Sequence, residues 1–102
     1  MAEIVWTEPA LAELDAIADY IALDKPSAAR RLVQRVFFSV ERLTHFPKLG
    51  SRVPELSESI YRQLVVKPCR IFYRFERDRV FIVFVMRCER QFQEEFLEKP
   101  EV

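Results

Sequence analysis

The sequence is poor in the side chains that build metal centres. Histidine occurs once, at His45, and cysteine twice, at Cys69 and Cys88. There is no CxxC pair, no histidine–cysteine cluster and no HExxH. A protein-built zinc or haem site has little to draw on, and no cofactor is expected. Long apolar runs are also missing, none approaching the roughly 18 residues of a transmembrane helix. The opening AEIVWTEP lacks a signal-peptide pattern. A cytoplasmic protein with two free thiols and no membrane association is expected. Internal repeats and low-complexity tracts are absent. Gly50 is the only glycine, and it marks a position expected to need φ > 0.

What is present is ordinary for a folded chain: 50% apolar and 31% charged residues, which excludes a disordered class. With 102 residues, one domain spanning 1–102 and one core are expected. Net charge is zero but strongly segregated. Glu8 to Asp24 carries five acids and no base, whereas Lys25 to Arg52 carries seven bases and only Glu41. Tyr61 to Arg90 holds eight bases against three acids, and the tail after Arg90 is acidic. Such segregation fits either internal complementarity or a basic surface for an acidic partner. The neutral total leaves direct nucleic-acid contact open.

Ile4-Val5-Trp6 reads as a first strand. Thr7-Glu8-Pro9 supplies an N-cap hydroxyl, an early acid and a proline in the first turn of a helix. Leu11, Leu14, Ala18 and Ile21 form an apolar stripe that carries this helix to about Leu23, with Glu8, Asp15 and Asp19 on a solvated face. After Asp24-Lys25-Pro26 a second helix presents Ala29, Leu32, Val33, Val36, Val40 and Leu43, with Phe37 and Phe38 widening the stripe. The short link predicts an antiparallel helical hairpin. This helix ends near Thr44-His45-Phe46; His45, in its last turn, suits the dipole and needs no chemical role. Residues 47–56 form a loop.

From Tyr61 the period changes to two. Strands are expected over Tyr61–Val66, Arg70–Glu76 and Arg79–Arg87, with tight turns at Lys67-Pro68 and Arg77-Asp78. In the middle strand Ile71, Tyr73 and Phe75 face one way, and Arg70, Phe72 and Arg74 the other. VFIVFVM is apolar on both faces and belongs inside the sheet. Pairing Glu76 with Arg79 would set Cys69 opposite Met86. A short helix over Gln91–Glu98, bearing Phe92 and Phe96, is expected to cover the second face. The predicted fold is α+β, β-α-α-β-β-β, a helical hairpin on a small, mainly antiparallel sheet with a short C-terminal helix.

That order, with Trp6 before Pro9-Ala10, Asp15-Ile17-Tyr20-Ile21, Pro26…Ala29, Pro47-x-x-Gly50, Arg62-x-Leu64-Val65-Val66, Arg70-Ile71-Phe72-Tyr73-Arg74 and Arg90, resembles the RelE/ParE superfamily of bacterial toxins. The first helix, the PxxG loop and the RIFYR strand look more like the ParE branch. The resemblance implies a type II toxin–antitoxin toxin, with a cognate ParD-like, DNA-binding, autoregulatory antitoxin in a hetero-oligomer. It further implies a non-enzymatic poison of DNA gyrase. The RelE branch instead implies a ribosome-dependent mRNA endoribonuclease, and a degenerate scaffold that binds only the antitoxin is a third reading. Against ribonuclease chemistry, Leu64 stands where a lysine would be expected and Phe96 where the proton-transferring tyrosine would lie. A base and an acid are each commonly worth about 10²–10⁴-fold in such reactions. Tyr73, Asp78 and Glu89 are the other residues that could carry a proton.

Arg62, Arg70, Arg74, Arg87 and Arg90 are the candidate partner- and target-binding residues. A solvated sheet face, an antitoxin-binding surface and a target-binding surface compete as explanations for them. As surface charges, Arg70 and Arg90 would be replaceable by alanine at a cost of no more than about 0.5 kcal/mol.

Overall fold

Thr7 joins the first helix to the sheet. Its backbone N–H and its side-chain hydroxyl both donate to the carbonyl of Ile82, the hydroxyl at 2.7 Å, and Thr7 Oγ1 in turn accepts from the N–H of Ala10. The capping residue is therefore also a buried strap. The computed structural model describes residues 1–56 and 58–98. In order it contains β1 (Glu3–Trp6), α1 (Glu8–Ala22), α2 (Pro26–Glu41), β2 (Ser51–Arg52), β3 (Arg62–Val66), β4 (Cys69–Glu76) and β5 (Arg79–Arg87). Short 3₁₀ turns cover Arg42–Thr44, Pro54–Leu56 and Glu94–Glu98.

The sheet order is β1-β5-β4-β3-β2, with β1 parallel to β5 and every other pair antiparallel. This is the α+β architecture expected, with one strand more, because Ser51 and Arg52 pair with Gln63 and Arg62. The apolar strand β5 lies inside the sheet, between β1 and β4. One face packs on the helical hairpin through Leu14, Ile17, Leu32, Val36, Ile71, Tyr73, Ile82 and Val85. The other buries Phe72, Phe84 and Met86 beneath Val53, Phe96 and Leu97.

Several local expectations are corrected. The buried stripe of α1 is Ala10, Leu14 and Ile17, continued by Ile21, while Leu11 is 42% exposed. Both stripes share Leu14 and Ile21, and the choice between their flanks is made by where Thr7 anchors the helix. Phe37 leans on Trp6, ring centroids 4.9 Å apart, but Phe38 is 71% exposed and widens nothing. The C-terminal element is a 3₁₀ turn from Glu94 rather than a helix from Gln91.

Gly50 does not have positive φ; Arg77 and Asp78 do, at 54° and 62°. Two successive positive values make the two-residue hairpin turn whose twist matches the strands, here without the usual Asn-Gly. Glycine is needed at 50 for space. A Cβ there would stand 2.5 Å from the carbonyl oxygen of Gln63 and 2.7 Å from the Tyr73 ring. Glu76 does pair with Arg79, but the register shifts at Phe72/Tyr73, so Cys69 faces Arg87 and Arg70 faces Met86. The shift leaves Val83 without a cross-strand partner in β4, a bulge that no alternation pattern announces. Both cysteines are free, Cys69 buried and Cys88 exposed.

Candidate functional site

The five arginines do not share a face. Arg70 and Arg74 project from the tail-covered side of the sheet, where their guanidiniums lie over Phe72 and Phe81 at 4.8 and 4.4 Å. Arg62, opposite Tyr73, and Arg87, opposite Cys69, belong to the helix-covered side, at different ends. Arg90 lies past β5, with its guanidinium 4.4 Å above Phe96 and 3.6 Å from the carboxylate of Glu13.

Most of them are occupied within the chain. Arg70, only 12% exposed, forks onto Glu55 with bonds of 3.1 and 2.8 Å. It also donates twice to Oε1 of Gln63, from Nε at 3.0 Å and Nη2 at 2.6 Å. Bidentate charge-assisted bonds of this kind hold geometry firmly. The bond from Arg70 keeps the Glu55 carboxyl below its ordinary range despite some desolvation. Arg70 is therefore a clamp between β4, β3 and the turn at Pro54–Leu56, not a solvated charge. Arg62 donates to the carbonyl of Gly50 at 2.8 Å and braces the loop that Tyr73 also holds. The Tyr73 hydroxyl accepts from the N–H of Gly50 and donates to the carbonyl of Pro47, both at 2.9 Å. Arg74 pairs with Glu76 at 2.7 Å, and Arg87 with Glu89 at 2.6 Å.

Tyr73 and Glu89, two of the positions that could move a proton, are equally committed. Burial pushes the Tyr73 phenol up from its ordinary value, so it stays a neutral structural group. Glu89 is held low by its own backbone N–H and then by the Arg87 guanidinium, so it is a poor proton acceptor near neutrality. Asp78 sits in the hairpin turn. Phe96 stacks on Phe84 with ring centroids 4.7 Å apart and has no exchangeable proton.

Sequence reasoning passed over a second surface. An open groove of about 590 Å³ runs between α2 and β3, lined by Arg31, Gln34, Arg35, Phe38, Ser39, Val65 and Val66. Because β2 pairs only with Arg62 and Gln63, the outer edge of β3 from Leu64 to Val66 has no strand beside it among the described residues. Apolar floor, cationic rim and free strand edge occur together here. The signal was in the pattern: Phe37 and Phe38 cannot both face the core from one helix.

With this geometry in hand, the relatives decide the family. The family model described as ParE toxin of the type II toxin–antitoxin system parDE matches residues 4–92. The chain belongs to the ParE toxin family. It is 41% identical over 68 residues to Toxin RelE2 of Caulobacter vibrioides, covering 67% of this chain and 73% of that one. It is 38% identical over 90 residues to the Sinorhizobium fredii protein Y4kP, covering 86% and 90%. A solved chain from the chromosomal ParDE system of P. aeruginosa superposes with a TM-score of 0.70 at 27% identity, covering 85% of this chain and 96% of that one. The arginine-rich strands form a braced scaffold, and among the described residues Leu11, Tyr20, Leu23 and Phe38 on the helical hairpin and Val65 at the β3 edge are exposed apolar side chains, as are Phe46, Leu49 and Ile60 in the loops. Among the described residues no helix is long and apolar enough to cross a membrane.

Proposed function

We propose that this ParE-family toxin acts without covalent chemistry, poisoning DNA gyrase, and is neutralised by a cognate antitoxin. One observation carries the non-enzymatic part. Phe96, standing where RelE-type chemistry would want a tyrosine, is packed on Phe84, and Tyr73 and Glu89 are tied into structural bonds. A gyrase poison needs no proton transfer. It needs contacts that favour the cleaved-DNA state over the resealed one, and only such a difference can hold that state populated.

The groove between α2 and β3 supports the antitoxin part. An extended, acidic partner segment can lay apolar anchors on Phe38 and Val65, hydrogen-bond to the free edge of β3 and meet Arg31 and Arg35. The antitoxin is read as ParD-like and DNA-binding, and the pair as cytoplasmic. Arg90, 50% exposed, remains the first target-binding candidate, since Arg62, Arg70 and Arg74 are engaged in the fold.

Inducing the chain alone and scoring DNA breaks and mRNA cleavage together tests this reading. Gyrase–DNA cleavage complexes with a DNA-damage response are expected. Rapid translation arrest with codon-linked mRNA cuts would replace it with the ribonuclease reading, which the similarity to Toxin RelE2 favours. Normal growth would leave an antitoxin-binding scaffold.

A further inference from the structure

Arg87 differs from the other four arginines. Its Nε is held by Glu89 at 2.6 Å, yet its Nη1 is buried with no hydrogen-bond partner. A charged N–H left without an acceptor costs more than a paired one contributes, so a retained orphan calls for an explanation. The side chain as a whole is 33% exposed. It lines a pocket of about 570 Å³ where the end of α1 meets the start of α2, together with Tyr20, Ile21, Leu23, Asp24 and Lys25. Tyr20 lies over the guanidinium, its ring centroid 5.9 Å from Cζ, and is 69% exposed, so its ring can swing aside. Leu23 is 85% exposed on the same rim.

We propose that this pocket receives a carboxylate of the bound antitoxin, an Asp or Glu side chain that supplies the acceptor missing at Arg87 Nη1. The inference rests on the antitoxin reading above and adds a second, separate anchor point to it. Charge and shape argue for a polypeptide carboxylate. Arg87 and Lys25 line the pocket with Asp24, and Glu89 already holds Arg87 Nε, a balance that suits one negative charge better than a phosphate dianion. The bare Leu23 and the ring of Tyr20 offer apolar cover to the residue beside the acid. Desolvated, such a charge-assisted bond discriminates strongly between an acid and its amide. The free chain carries the orphan guanidinium at a cost, and the partner relieves it.

The test uses the full chain, and Arg87→Met keeps the length of the side chain without its charge. Arg87→Met is expected to leave the Tm of the free chain unchanged or raised. It should weaken binding to the cognate antitoxin by about 30-fold or more. In NMR titrations, N-acetyl-Leu-Glu-amide should shift the Arg87 Nε–H and the Tyr20 ring signals, while N-acetyl-Leu-Gln-amide and inorganic phosphate should not. A lowered Tm in Arg87→Met would make Arg87 a structural residue and overturn the proposal, as would an equal shift with phosphate. Phe38→Ala separates the two readings. If Phe38→Ala weakens antitoxin binding and Arg87→Met does not, this inference fails and the groove stands. If neither weakens it, the docking reading fails as well.

Discussion

The two faces of the sheet are buried by different means. On the helix side, α1 and α2 set regularly spaced aliphatic residues against Ile71, Tyr73, Ile82 and Val85. The strap at Thr7 and the close approach at Gly50 lock the edges. On the tail side, Phe72, Phe84 and Met86 are covered by irregular turns, stacked aromatics and the arginine clamps. Periodic packing makes a cover that can leave only with the whole fold. The tail cover rests on side-chain packing and on the Tyr61 hydroxyl donating to Leu97 at 3.3 Å, with no regular element behind it, so local opening is the expected difference.

Truncation on each face gives the largest contrast. Leu32→Ala, under the hairpin, should cost about 2–5 kcal/mol in global unfolding, as buried leucines do. Phe96→Ala should cost less, about 1–2 kcal/mol, although phenylalanine is larger, because the tail can lift off before the core gives way. Equal losses in denaturant melts would break the comparison and make the tail part of one cooperative core.

Arg70→Ala sharpens it next. A loss of about 1–2 kcal/mol is expected, most of it from the part-buried bonds to Gln63, because the Glu55 carboxylate is 42% exposed and its share is screened by solvent. Its acid dependence identifies the bond. Glu55 has a folded pKa below its ordinary 4.5, so its contribution is complete above that value and is lost as pH falls through the folded pKa. Arg70→Ala should flatten this part of the stability–pH curve, and an unchanged acid limb would move the effect elsewhere.

Cys69 gives the smallest effect, at the alkaline end. Burial, then the neighbouring Cys88, pushes its thiol from 9.0 up to about 11. The unfolded chain therefore loses this proton first, and stability present below about pH 9 falls as pH rises toward 11. Cys69→Ala should remove the part of the slope that begins near pH 9 and leave the later part that the raised Tyr73 phenol contributes. An unchanged slope would assign the whole alkaline loss to Tyr73.

Much of this was legible from the residues. The change of period at Tyr61, the proline and cap at Thr7-Glu8-Pro9 and the doubly apolar VFIVFVM announce the elements, because helix and strand impose local spacings on side chains. The inward aim of Tyr73 and the covering role of Phe96 followed from the same spacing. The candidate site was legible only as a supply of cations. Five arginines at strand positions looked like one surface, yet they divide between two faces and four positions.

By itself the sequence determined the element order, the hairpin of helices, the interior place of β5 and the family to which the chain belongs, since each depends on short-range pattern. Tertiary structure alone decided the rest. It chose the flank of α1 that is buried, placed the bulge at Val83, turned Gly50 from a conformational need into a spatial one and exposed Phe38. It also engaged Arg70 and left Nη1 of Arg87 without an acceptor. Those outcomes depend on which distant atoms meet, such as Gly50 with Tyr73, Arg70 with Glu55 and Arg87 with Tyr20, and spacing along the chain carries no record of such meetings.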